Sequence, residues 1–68
     1  MDNDNLAKMG VAMIKMCYML YEEIPSSEQI KQDYIHFHPD SSSHFDEPQL
    51  FNVACTVRSF FWTLKTMS

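Results

Sequence analysis

Residues Leu6–Tyr21 read LAKMGVAMIKMCYMLY, and this stretch decides the fold. Thirteen of its sixteen residues are apolar, four of them methionine, and only Lys8 and Lys15 carry charge. At 100° per residue, Lys8, Lys15 and Glu22 fall on nearly one line, and Asn5 and Glu23 widen it to a polar strip about 100° across. Met9, Met13, Met16 and Leu20 form one apolar stripe, Leu6, Cys17 and Ile24 a second, and Val11, Ile14, Tyr18 and Tyr21 a third. The stretch therefore predicts a helix from about residue 4, capped by Asn3 or Asp4, to about residue 24. Pro25 ends it, because the residue before a proline is pushed out of the helical region. Gly10 costs roughly 1 kcal/mol of helix propensity against alanine, and its bare backbone would let another helix approach closely.

Two further helices follow from the same rules. Ser26 and Gln29 have the spacing of a capping box before a short helix over about 26–36. Ile30, Tyr34 and Phe37 would line its apolar side, leaving Lys31, Gln32 and Asp33 facing water. Residues 37–46, FHPDSSSHFD, hold turn formers and read as an acidic loop. Asp46 as N-cap with Gln49 makes a second capping box, Pro48 suits the first turn, and Phe45 and Leu50 sit at staple positions. A third helix then runs over about 47–65. Leu50, Val53, Ala54, Val57, Phe60, Phe61 and Leu64 give the i, i+3, i+4, i+7 spacing of a buried face, with Phe51, Cys55 and Trp62 to one side. The fold class expected is all-α: one domain over 1–68, with two long antiparallel helices, a short connecting helix and an acidic loop.

Composition narrows the function classes. The segments 6–21 and 50–64 hold 23 of the 31 apolar residues, so the acidic charge gathers in the middle of the chain. Five basic residues spread over 68 make no phosphate-tracking patch, and nucleic acid is excluded as a partner. The net charge of −4 is too sparse for a DNA mimic. The acidic start MDNDN has the wrong sign for a secretory signal, and Met9–Tyr21, interrupted by Lys15, is too short to span a bilayer. No membrane association is expected and a cytoplasmic location is; the initial methionine fits a complete small reading frame.

No catalytic motif is legible, and the chain is read as a non-enzyme. Ser41 to Ser43 beside His44 supply residue types for nucleophilic catalysis, but a polar loop in so small a domain does not preorganise them. No cofactor is implied. His36, His38 and His44 lie within nine residues, and in an extended segment the first two would point the same way, as metal ligands or a pH-sensitive contact would require. Their spacing matches no compact metal signature, so solvated loop histidines are the reading and no metal is expected. Cys17 and Cys55 lie inside apolar segments without cationic neighbours and read as core residues rather than as a disulfide or reactive thiols.

Binding another protein remains. A helix in a globular domain usually buries a stripe somewhat wider than about 100°, while the first helix here is apolar over roughly 260°. The face beside Met13 and Cys17 is expected to pack on the third helix. The surplus, near Val11 and Tyr18 or near Met9 and Met16, is expected to meet a partner, with a symmetric homodimer through this helix as the cheapest arrangement. The candidate contact residues are Met9, Val11, Met13, Met16, Tyr18 and Trp62, with Asp40, Asp46 and Glu47 facing a basic patch on the partner. The function expected is a small regulator or inhibitor that binds a larger protein, a role that small acidic frames fill in phage, plasmid and bacterial settings. The alternatives are a structural subunit of a fixed assembly and a metal- or pH-responsive module using the histidine loop.

Overall fold

The computed structural model describes residues 2–42 and 45–67. They form α1 (Asp2–Leu20), α2 (Ser27–Phe37), the single turn α3 (Pro39–Ser42) and α4 (Glu47–Met67), with no strand among the described residues. The radius of gyration, 11.3 Å, is close to the roughly 11 Å expected of a compact chain of this length.

Both expected N-caps start their helices, but only the second is a full capping box; at the first, the Gln29 side chain donates to Asp33 instead of turning back to Ser26. At Ser26 the hydroxyl accepts a hydrogen bond from the Gln29 N–H at 3.1 Å. At Asp46 the exchange is reciprocal: its carboxylate accepts from the Gln49 N–H at 2.9 Å, and the Gln49 side-chain oxygen accepts from the Asp46 N–H at 3.1 Å. Such boxes satisfy N–H groups that the first turn leaves without partners.

Helix α1 ends sooner than Pro25 alone implies. It stops at Leu20, and the Tyr21 N–H still reaches the Cys17 carbonyl at 3.1 Å. The chain must turn before α2, and carbonyls freed in the turn find cations on α4: Arg58 Nε donates to Pro25 O at 3.0 Å, and Lys65 Nζ donates to Glu22 O. Those long-range bonds compensate the helix bonds given up over residues 21–25. The expected loop over 37–46 is also partly helical, because Pro39 sits where a missing N–H costs nothing and opens α3.

The core is drawn from three helices. Met9, Met13, Met16 and Cys17 come from α1, Ile30 and Tyr34 from α2, and Leu50, Ala54, Val57 and Phe61 from α4. Each set repeats at i, i+4, i+7 or part of it, which is one face of a helix. Burying each large side chain is worth about 1.5–3 kcal/mol. Of the two phenylalanines placed on the buried face by their spacing, Phe61 fills the core as expected, while Phe60 is half exposed.

The antiparallel expectation for the long helices is corrected by three contacts. A β-carbon on Gly10 would lie 3.9 Å from Val53 Cγ1 and 4.0 Å from Val57 Cγ2. Further along, the Tyr18 ring meets Phe61 edge-on at 5.1 Å, and beyond α1 the Glu22 carbonyl meets Lys65. The partners advance in the same direction along both segments, so α1 and α4 run parallel. The reason is the length of α2: its eleven residues span about 16 Å and form a full return pass. One return pass between two helices brings the second back in the direction of the first.

Lys31 is a second correction. It is 7% exposed, not facing water. Its side chain is covered while the ammonium reaches the exposed Glu28 carboxylate at 3.2 Å, the usual way a lysine covers apolar surface. Hydrogen bonds from Gln32 and from Lys31 hold the Glu28 carboxyl below its ordinary range.

Candidate functional site

The core uses one side of α1 and leaves the other to solvent. Met9 and Met13 are 2% and 0% exposed, so both are withdrawn from the expected contact surface. Met16 is buried too, although it borders a groove described below. Of the two edges left open by the helical arithmetic, the exposed one carries Val11 and Tyr18, each more than half exposed. The reason is rotational: with Met13 and Cys17 at the centre of the packed face, Met9 and Met16 fall inside it and Val11 and Tyr18 outside.

Two apolar borders flank the Lys8–Lys15 line. Towards α4 lie Val11 and Tyr18, with Phe60 exposed on the α4 flank that also carries Val53. Towards α2 lie Ala12 and Met19, the latter 83% exposed. On this second side α1 and the end of α2 enclose a groove of about 310 Å³. Ala12, Met16, Met19, Leu20 and Phe37 line it, with Lys15 and His38 as its polar residues. Leu20 and Phe37 are half exposed, so the groove opens onto a wider apolar surface. Its α2 wall is held by His38, which caps the helix, donates its N–H to the Tyr34 carbonyl at 2.8 Å, and stacks on the Tyr34 ring at 4.7 Å. Sequence reasoning missed Met19, Leu20 and Phe37 as one surface, because nothing local brings the end of α2 beside α1.

The remaining expected residues are dispersed. Trp62, 53% exposed, lies on α4 on the side of Phe51, away from the stripe that packs in the core. Asp40, Asp46 and Glu47 are exposed, but the Asp46 carboxylate is committed to capping α4. The histidine constellation is not assembled as an extended segment. His36 belongs to α2, where its ring meets Phe37 edge-on at 5.1 Å, and His38 caps that helix. Ser43 and His44 lie outside the described residues. Among the described residues, no group of three histidine, cysteine or acidic side chains could hold a metal ion.

Both cysteines are free. Cys17 is fully buried, and that burial, aided by the charge of Asp33, pushes its thiol from 9.0 up to about 11. A thiol so shifted is a poor nucleophile near neutrality, as buried core cysteines are. Cys55 is partly buried. No described helix is long and apolar enough to cross a membrane.

No family model, curated protein or solved structure matches this chain.

Proposed function

We propose that this protein is a non-enzymatic interaction module, a small cytoplasmic regulator or inhibitor that binds a larger protein. One observation carries the reading. The core is filled, yet Val11, Tyr18, Met19, Leu20, Phe37, Phe60 and Trp62 remain at least half exposed. Single exposed apolar residues are ordinary on soluble proteins, but surfaces on which they cluster mark interaction sites. Two apolar surfaces flank α1: the border carrying Val11 and Tyr18, one helical repeat of seven apart, and the groove walled by Met19 and Phe37.

Self-association is the second reading, supported by the Val11–Tyr18 border. Tyrosine is enriched at binding hot spots, and a two-fold axis would cover the same patch on both copies. Sedimentation at low micromolar concentration tests it: a dimer is expected, and Val11→Lys with Tyr18→Lys should return it to a monomer with unchanged helical content. A monomeric parent chain would end the dimer reading. The regulator reading is tested by affinity capture from the native host with the parent chain, Val11→Lys/Tyr18→Lys and Met19→Lys side by side. One protein retained by the parent and lost from either variant is expected; identical retention by all three would remove the α1 surface as the contact.

A further inference from the structure

We infer that the α1–α2 groove receives an amphipathic helix of another protein, one that presents carboxylates seven residues apart beside an apolar stripe, opposite Lys8 and Lys15. This rests on the interaction reading above and names the chemistry of the partner.

The cations single out the face. Lys31 is engaged by Glu28, Arg58 by the Pro25 carbonyl, and Lys65 by the Glu22 carbonyl. Lys8 and Lys15 have no hydrogen-bond or ion-pair partner among the described residues, and both are exposed on α1. On this line Lys8 and Lys15 lie between Asp4 and Glu22, so its middle two turns are positive while its two ends are acidic. Lys15 is also a wall of the groove, next to Met16 and Met19.

Spacing selects a helix over a smaller guest. Lys8 and Lys15 are seven residues apart, about 10.5 Å along the α1 axis. An amphiphilic carboxylate seated among Met19, Leu20 and Phe37 would meet Lys15 and leave Lys8 two turns away. A helix laid along α1 with acids at i and i+7 meets both, while its apolar side chains enter between Ala12, Met19 and Phe37. This is the helix-in-groove mode, with anchors at helical spacing and charges at the rim.

A second copy of α1 fits this face poorly. Its acids on the lysine line are Asp4 and Glu22. In an antiparallel pair, seating Lys8 against Glu22 of a second copy sets the two Lys15 residues against each other. Seating Lys15 against Asp4 leaves Met19 beyond the end of the pair, and parallel in-register pairing sets each lysine against itself. Like charges held together weaken a contact by about as much as opposite charges strengthen it.

The test uses the full chain with methyl-labelled methionine and two synthetic helical peptides. Both carry leucine at i, i+4, i+7 and i+11; one has glutamates seven apart beside that stripe, and its twin has lysines there. The acidic peptide is expected to shift the Met16 and Met19 methyl signals to saturation, and the lysine twin to bind about tenfold more weakly at low salt, the difference expected when two exposed ion pairs become two repulsions. The preference should shrink as salt is added. K8E/K15E, which alters only exposed side chains, should reverse it. Equal binding of the twins at these methyls would overturn the acidic class while leaving a protein-binding groove in place. Failure of both peptides to shift Met16 and Met19 would overturn the groove as a helix site, leaving the Val11–Tyr18 reading to its own test. Saturation by sodium dodecanoate without response to the acidic peptide would overturn it in favour of a small amphiphile.

Discussion

Replacing Met13 by lysine, with Met19→Lys as its partner experiment, separates the core of α1 from its surface. The two methionines lie on one helix six residues apart, but Met13 is wholly buried and Met19 is 83% exposed. A chain of 68 residues at typical stability has about 3–10 kcal/mol to lose. A lysine at position 13 would have its pKa depressed by about 3–5 units, so that at neutral pH its burial as the neutral amine costs roughly 4–5 kcal/mol, to which the lost packing of Met13 adds. That is most or all of the available stability, and Met13→Lys is expected to be largely unfolded. Met13→Ala removes only volume and should cost about 2–5 kcal/mol. Met19→Lys should stay within about 0.5 kcal/mol of the parent. Urea denaturation followed by far-ultraviolet circular dichroism reads all three, with an unchanged slope confirming that the same transition is compared. If Met13→Lys unfolded cooperatively within about 1 kcal/mol of Met19→Lys, α1 would have to be rotated on its axis from the packing described.

Three further predictions use the same assay. Gly10→Ala should raise stability by about 0.5–1 kcal/mol, because the new methyl meets Val53 and Val57 at ordinary contact distance and the backbone loses freedom only in the unfolded chain; a loss would show that the helices approach more closely than this. Asp46→Ala should cost about 1 kcal/mol by releasing the capping box of α4, and Asp46→Asn much less, since its amide oxygen can still accept from the Gln49 N–H. Cys17 links stability to alkali: an unfolded thiol loses its proton near 9.0, the folded one near 11, so its stabilisation is complete below pH 9 and fades as pH rises towards 11. The loss is roughly 2–3 kcal/mol, and Cys17→Ala should flatten that part of the stability–pH curve; an unchanged slope would place the linkage elsewhere.

Features set by neighbours in the chain were legible before any packing was known. The Asp46–Gln49 box and the Ser26 N-cap join residues three positions apart, and each starts its helix, although Gln29 turns its side chain to Asp33 instead of completing a box. The phase of α1, with Met13 and Cys17 inward and Lys8 and Lys15 outward, follows from 100° per residue alone. Features set by distant neighbours were not legible. Leu20 ends α1 in a turn whose carbonyls bond Arg58 and Lys65, residues more than thirty positions away. Lys31 reads as a solvent residue from its charge, yet its stem is covered in the packed protein.

The sequence by itself determined an all-helical chain and which arc of each helix is apolar, because those are properties of residue type and of a fixed helical repeat. Only the tertiary structure decided that α1 and α4 run parallel and that Met9 is core while Val11 and Tyr18 are surface. It alone brings Phe37 beside Met19 to make a groove. The physical reason is that an apolar arc wider than one packing stripe can be buried in more than one rotation. Hydrophobicity has no direction; the return pass of α2 and the contacts of α4 choose among those rotations, and with them the surface left for a partner.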